Sequence, residues 1–233
     1  MKIVVFSDIH GNQYTMRKFC KEIADFRPDR IFFLGDVFGY YYGQNECLDL
    51  LRALPNLQCI LGNHDEMFLQ SLNNEKMQIE LAEKYGKSYL WAEMISAVNM
   101  KFLLEWPTYW GEIIDGLKMG FCHGALDDKL NGRLYPDGDV LNLEHYKEYD
   151  VVFHGHTHHK MKKTVGKTVI YNPGSLGQQR DGRGCSYVIF DTTTKMAEYR
   201  TIDYEREVLL AEIEKYDPYK ENFKEVLFRR AKD

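Results

Sequence analysis

The stretch Leu61-Gly62-Asn63-His64-Asp65 closes an apolar run at residues 57–60 and places an amide, an imidazole and a carboxylate on one turn. Alone, it reads equally well as a turn in which Gly62 and Asn63 supply unusual backbone angles. The arrangement recurs, and the recurrence decides the fold. Residues 2–6 form a short β-type run that ends in Ser7-Asp8-Ile9-His10-Gly11-Asn12, and residues 30–34 form another that ends in Gly35-Asp36. Residues 117–121 run into Cys122-His123-Gly124, and residues 150–153 run into His154-Gly155-His156-Thr157-His158. Each run is rich in Val, Ile, Leu or Phe and about strand length. Open α/β sheets bind ligands beyond the carboxyl ends of their strands, so strand ends carrying Asp, Asn or His are expected to converge on one spot.

The rest of the chain reads as the scaffold for those ends. Residues 13–26 carry Met16, Phe19, Cys20 and Ile23 at helical spacing before Pro28 stops them, and a second helix is expected over 45–54, ended by Pro55. Residues 66–105 are helical in character, their Met and aromatic residues reading as core rather than as a cofactor box. Residues 109–115 begin a second run of strands. Short strands at 160–165, 168–171, 186–190 and 196–200 then predict a second, mainly antiparallel sheet. The tail is amphipathic and helical over 203–216 and 220–230. No repeat or low-complexity linker interrupts the chain, so one domain is expected over 1–233 with a helical tail from about 203.

A chain of 233 residues can bury a core without staples. With 44% apolar and 28% charged residues its composition is ordinary globular usage. The net charge of −5 argues against a general nucleic-acid binder or a binder of anionic membranes. No stretch has the apolar length of a membrane span, and Asp8 and His10 interrupt the first apolar run too early for a signal peptide. Five scattered cysteines without a Cys-x-x-Cys pair point to free thiols in a reducing cytoplasm. Cys122 beside His123 raises a thiolate ligand or nucleophile, against the commoner case of a buried thiol at a strand end.

The chemistry follows from spacing. Asp8 and His10, like His156 and His158, stand two apart, and in an extended segment such residues point to the same side. Asp36 is a lone carboxylate at a strand end, able to bridge two cations through its two oxygens. Asn63 and His123 complete a set of oxygen and nitrogen donors without a thiolate, which suits Mn²⁺, Fe or Zn²⁺ in an expanded shell. This set exceeds what one ion needs and fits two ions about 3.5–4 Å apart, as in metal-assisted phosphate-ester hydrolysis. Of the other histidines, His145 reads as a surface residue, and His154 and His159 as neighbours of ligands.

These blocks, in this order, resemble the calcineurin-like metallophosphoesterase family. Gly39, Asn45-Glu46-Cys47, Asn172-Pro173-Gly174-Ser175 and Arg180-Asp181-Gly182 resemble its small stand-alone bacterial and archaeal members, so the likeness spans most of the chain. The metal pattern shows no departure, although Cys122 and His154 are not positions the motif fixes. The resemblance implies a four-layer α/β/β/α sandwich of two mixed sheets flanked by helices, with a di-metal site at the carboxyl ends of strands. It assigns Asp8, His10, Asp36 and His158 to the first metal, and Asp36, Asn63, His123 and His156 to the second, with Mn²⁺ the leading candidate. A hydroxide shared between the ions would attack phosphorus in line, His64 would be the general acid, and Asp65 would orient it or hold it protonated. Asn12, Tyr40 and Arg180 are candidate substrate contacts, and the loop Tyr40-Tyr41-Tyr42 suits stacking on a base or packing on the following helix. The expected substrate is a small phosphodiester or phosphomonoester, a nucleotide included, and the expected location is the cytoplasm with no membrane partner. The alternatives are a protein phosphatase and a non-catalytic scaffold such as the retromer subunit of this fold, the latter opposed by the complete ligand set and His64. The oligomeric state, a homo-oligomer included, is open.

Overall fold

In the computed structural model, which describes residues 1–140 and 142–231, the apolar runs become the inner strands of two five-stranded sheets. In chain order the strands are β1 (Lys2–Phe6), β2 (Arg30–Phe33), β3 (Leu57–Cys59), β4 (Tyr109–Ile114), β5 (Leu117–Cys122), β6 (Val151–Phe153), β7 (Lys160–Val165), β8 (Thr168–Pro173), β9 (Cys185–Asp191) and β10 (Met196–Ile202). The first sheet has the order β10-β9-β1-β2-β3 and the second β4-β5-β6-β8-β7. In the first, β1, β2 and β3 are parallel while β9 pairs antiparallel with β1. In the second, β5, β6 and β8 are parallel and β4 and β7 are antiparallel edges. Both sheets are therefore mixed.

The strands at 160–200 do not form one antiparallel sheet, as the sequence pattern predicts, but divide between the two. β7 and β8 complete the second sheet, and β9 and β10 return to the first. The reason lies in burial: β9 is buried at every position but its last, so it needs a strand on each side, and it finds them in β1 and β10. β10 alternates between exposed and covered residues along most of its length, as an edge strand does.

The period of two along β1 and β2 builds two cores. Ile3, Val5, Phe32 and Leu34 face the second sheet and meet Met119, Phe121, Val151 and Phe153, with the rings of Phe32 and Phe121 stacked 3.9 Å apart. Val4, Phe6, Ile31 and Phe33 face the opposite way. They are covered by α1 (Gln13–Phe26), α2 (Gln44–Ala53), α3 (Asn63–Ser71) and, beyond α4 (Glu75–Tyr85), α5 (Ala97–Leu104), through Met16, Phe19, Leu48, Phe68 and Leu103. The outer face of the second sheet is covered by Leu126, Leu134 and Tyr146, from a segment whose described part holds one 3-10 turn, Leu143–His145, with His145 exposed. In the tail, α6 (Arg206–Tyr216) and α7 (Glu221–Leu227) pack through Leu209, Ile213, Phe223 and Leu227 onto Tyr41 and Tyr204. Among the described residues no helix is long and apolar enough to cross a membrane. All five cysteines are free thiols.

Candidate metal centre

The segments that leave β1, β2 and β3 carry Asp8, Asp36 and Asn63, and those that leave β5 and β6 carry His123 and His156, so both sheets deliver polar side chains to one rim. Loop backbone ties the ends together: the Asp8 N–H donates to the Gly35 carbonyl at 2.9 Å, the His10 N–H to Asp36 at 3.0 Å, and the Gly155 N–H to His123 at 2.8 Å. Hydrogen bonds also cross between the sheets, among them those from the His123 Nδ1 to the Leu34 carbonyl at 2.8 Å and from the His156 N–H to Asp8 Oδ2 at 3.2 Å.

The ligand pairs are not extended, contrary to the argument from strand alternation. Asp8, His10, Asp36, His156 and His158 all adopt positive φ, at 57°, 50°, 67°, 65° and 59°. Left-handed backbone is costly for non-glycine residues, and here the hydrogen-bonded rim holds it in place. Tight left-handed turns, not pleating, aim each pair at the centre.

Two groups result, Asp8 with His10 and His158, and Asp36 with His123 and His156; within each, the candidate ligand atoms lie within 4.8 Å of one another. Asp36 stands between them, its Oδ2 3.2 Å from His123 Nε2 and 3.7 Å from His10 Nε2. Its Oδ1 accepts the His64 N–H at 2.8 Å, and Oδ2 is the oxygen turned toward both groups. This close approach requires glycine at 62, where a Cβ would stand 2.1 Å from Asp36 Oδ1. Asn63 Oδ1 lies 3.0 Å from His123 Nε2.

The histidines are oriented for coordination. His10, His123 and His158 each place Nδ1 on a backbone carbonyl, of Phe38 at 2.6 Å, Leu34 at 2.8 Å and Gln178 at 2.5 Å. A carbonyl can only accept, so Nδ1 carries a proton in all three, and the neutral rings of His10 and His158, held down by burial, keep their lone pair on Nε2. The Nε2 atoms of His10 and His158 face each other at 3.1 Å, an encounter of lone pairs that a shared cation resolves. Asp8 Oδ1 is buried without a hydrogen-bond donor and points at the same place. Burial would raise the Asp8 and Asp36 carboxyls, yet the histidine charges around them hold both below the usual range. Burial lowers His123, but Asp36 outweighs it and lifts the imidazole to about 9. The donor set therefore fits divalent cations, with thiolates excluded: Cys122 is buried beside His154 and belongs to neither group.

Residues 1–195 match the model of the calcineurin-like phosphoesterase superfamily domain. The chain belongs to this superfamily. It is 33% identical over 224 residues to the uncharacterized protein MJ0912 of Methanocaldococcus jannaschii, covering 87% of this chain and 88% of that one. Among solved structures it is similar to the hypothetical protein PH1004 from Pyrococcus horikoshii OT3, with a TM-score of 0.84 at 17% identity over 100% and 99% of the two chains. It is also similar to a metallophosphoesterase from Sphaerobacter thermophilus, with a TM-score of 0.78 at 25% identity over 98% and 99%.

In this calcineurin-like domain His64 sits beside the centre with Nδ1 2.8 Å from the Tyr89 hydroxyl, which itself donates to the His64 carbonyl at 3.3 Å. Tyr89 therefore accepts the Nδ1 proton, and Nε2 is left free. Burial pushes His64 down to about 4, so the ring is neutral near pH 7. Asp65 does not touch it. Its oxygens accept backbone N–H groups of Asp36 and Gly62 (2.8 and 2.9 Å) and of Val37 and Phe38 (2.8 and 3.3 Å). Asp65 is thus a clamp on the Asp36 loop rather than the partner of His64. Asp65→Asn is expected to lower metal content and to cost about 2 kcal/mol of stability, since one of the two oxygens that accept these buried N–H groups becomes an N–H donor. Thermal unfolding and metal analysis check this; unchanged values with lost turnover would return Asp65 to a catalytic role.

Asn12 is likewise corrected. It is fully buried, caps α1 by accepting the Thr15 N–H at 3.2 Å and donates to the Gly177 carbonyl at 2.8 Å, so no part of it is left for substrate. Of the aromatic loop, only Tyr40 lines the cleft over the metal groups. Tyr41 is buried against the tail helices, and Tyr42 donates to Asp217 at 2.9 Å. Arg180 lines the cleft too, its Nη2 donating to the Tyr40 hydroxyl at 2.9 Å. Arg133, Tyr85 and Tyr135 complete the wall and carry no motif that would reveal them; Arg133 Nε lies 3.1 Å from His156 Nε2.

His154 supports the centre from behind, its Nδ1 on the Gly124 carbonyl and its Nε2 3.1 Å from the Tyr146 hydroxyl. Burial pushes it down to about 4. A histidine neutral in the fold and ordinary near 6.5 when unfolded contributes stability above pH 6.5 that is lost as pH falls toward 4. His64 behaves alike, while the raised His123 contributes fully below 6.5 and so does not offset the loss in this window. The Asp65 carboxyl, raised by burial to about 7, works the other way, but the lowered histidines outnumber it, so chelator-treated protein is expected to be less stable at pH 4.5 than at pH 7. Chemical denaturation at pH 7 and pH 4.5 reads it, and His154→Gln should shrink the difference; equal midpoints at both pH values would refute it.

Proposed function

We propose that this chain is a two-metal phosphohydrolase acting on a small phosphate ester. Asp8, His10, Asp36 and His158 hold one divalent ion, and Asp36, Asn63, His123 and His156 hold the other. Bound there, the pair supplies Lewis acidity and an activated water at neutral pH. The observation that carries the reading is the array of Nε2 lone pairs and the donorless Asp8 oxygen turned on one point, a cost without cations and a ligand set with them.

The chain's own groups do the rest. His64 Nε2 faces the leaving oxygen and gives it a proton; a bound phosphate anion raises the imidazole from its depressed value into the range where it can carry one. Tyr89 fixes its ring. His156 Nδ1 is the nitrogen turned to His123, at 3.2 Å, so holding an ion there would leave the His156 proton on Nε2, where the Arg133 N–H could not donate. Arg133 then turns to the substrate, and with Arg180 and Tyr40 it orients the phosphate oxygens. The cleft of about 60 Å³, walled by tyrosines and arginines, favours a small ester over a phosphorylated protein chain.

The donor set accommodates Mn²⁺, Fe or Zn²⁺, and Mn²⁺ is the first ion to load. A turnover screen with Mn²⁺ on bis-p-nitrophenyl phosphate, p-nitrophenyl phosphate, cyclic nucleotides and dinucleoside polyphosphates tests the proposal. Chelator-sensitive release of product is expected from at least one, and inactivity on all of them, with metal bound, would favour the scaffold reading.

A further inference from the structure

Next to the cleft lies a larger concavity of about 450 Å³, lined by His159, Lys160, Arg180, Arg183, Arg229 and Arg230 with one carboxylate, Asp181. Its floor continues directly from the metal-group residue His158, and Arg180 belongs to both cavities. The Asp181 oxygens accept the backbone N–H groups of Lys160 at 3.1 Å and Arg183 at 2.9 Å. Among the described residues no carboxylate lies within 4.0 Å of the guanidinium groups of Arg180, Arg183, Arg229 or Arg230. So much positive charge in one hollow, with no ion-pair partner for its guanidinium groups among the described residues, stands out in a chain of net charge −5.

The hollow is built rather than incidental. The segment after α7 is pinned to the turn that bears Arg180. Gln179 Nε2 donates to the carbonyls of Val226 at 3.1 Å and Arg229 at 3.2 Å, and the Ala231 N–H donates to Gly182 at 3.0 Å. Arg229 Nη1 reaches the Arg180 carbonyl at 3.4 Å. These bonds hold Arg229 and Arg230 at the cavity that Lys160 and Arg183 also line.

We propose that this basic hollow binds a second phosphate group of the substrate, so that the enzyme acts on small molecules carrying a phosphate besides the ester it cleaves. The inference rests on the two-metal reading for the cleavage step and on the hollow alone for the binding step. Arg180, already fixed on Tyr40 and on Gln178 Oε1 at 2.8 Å, stands between the two phosphates. Guanidinium pairs recognise phosphate dianions bidentately, and each such contact is worth about tenfold in affinity.

Adenosine 3′,5′-bisphosphate and adenosine 5′-monophosphate are the probes. With the Mn²⁺-loaded full chain, kcat/KM is expected to favour the bisphosphate at least about tenfold, mainly through KM. Arg183→Ser combined with Arg229→Ser should bring that ratio close to one, and the paired lysine variants should restore part of it. Calorimetric titration of the chelator-treated full chain, where no turnover occurs, should show the same order of affinities and the same loss. No preference in the wild type, or a preference the serine variants leave intact, overturns the proposal. So does activation of monophosphate turnover by free inorganic phosphate through these arginines, which would make the hollow an effector site. A calorimetric preference without hydrolysis of any ester sustains the hollow and overturns the metal reading instead; hydrolysis of p-nitrophenyl esters without that preference does the reverse.

Discussion

Asp36→Asn is expected to lower hydrolysis by about 10³-fold or more and to leave the purified protein short of its second equivalent of metal. The substitution keeps the side-chain shape and an oxygen for the His64 N–H, which Asp36 Oδ1 accepts at 2.8 Å. It removes the negative charge shared by the two groups, whose nitrogens stand 3.2 and 3.7 Å from Oδ2. Charge stabilisation by a bound ion is worth several kcal/mol in the transition state, and each 1.36 kcal/mol is a tenfold change in rate. Metal analysis beside initial rates reads both effects. Wild-type rates in Asp36→Asn, or in the unmodified protein with chelator present, would end the two-metal proposal.

His64→Ala is expected to keep its metal and to lose about 10²–10⁴-fold in turnover, the range for a missing general acid. The loss should depend on the leaving group: large for a nucleotide or alkyl ester, smaller for p-nitrophenolate, which departs without a proton. Tyr89→Phe removes the acceptor of the Nδ1 proton and should show the same leaving-group dependence in weaker form. A uniform loss over all esters would assign His64 to substrate binding instead.

The candidate ligands were legible in the sequence because each ends an apolar run, where periodicity and composition change together. Asp8, Asp36, Asn63, His123 and His156 all lie at the rim where that argument puts them. The side-chain directions were not legible, since the turns that aim Asp8, His10 and His158 have positive φ, which no alternation rule anticipates. Strand partnership was lost for a related reason. Residues 186–190 lack the alternation of a two-sided antiparallel strand, a signal of a central position, but which neighbour they join depends on contacts nearly the whole chain away. Asp65 was misassigned because adjacency to His64 says nothing of where a carboxylate on a first helical turn points, and here it turns back to the loop it closes. Arg133, Tyr85 and Tyr89 come from segments with no motif, so only the folded chain brings the first two to the cleft and Tyr89 to His64.

The bonds that cross the rim, from His123 to Leu34, from His156 to Asp8 and from the Leu176 and Gly177 amides to the Ser7 and Asp8 carbonyls, make the centre a clasp between two leaves. Neither leaf alone presents a full set of donors, so ions would stay only when both are in register. Breathing of the seam and escape of bound cations would then be one event, and ions held there would protect the whole protein from opening at the seam.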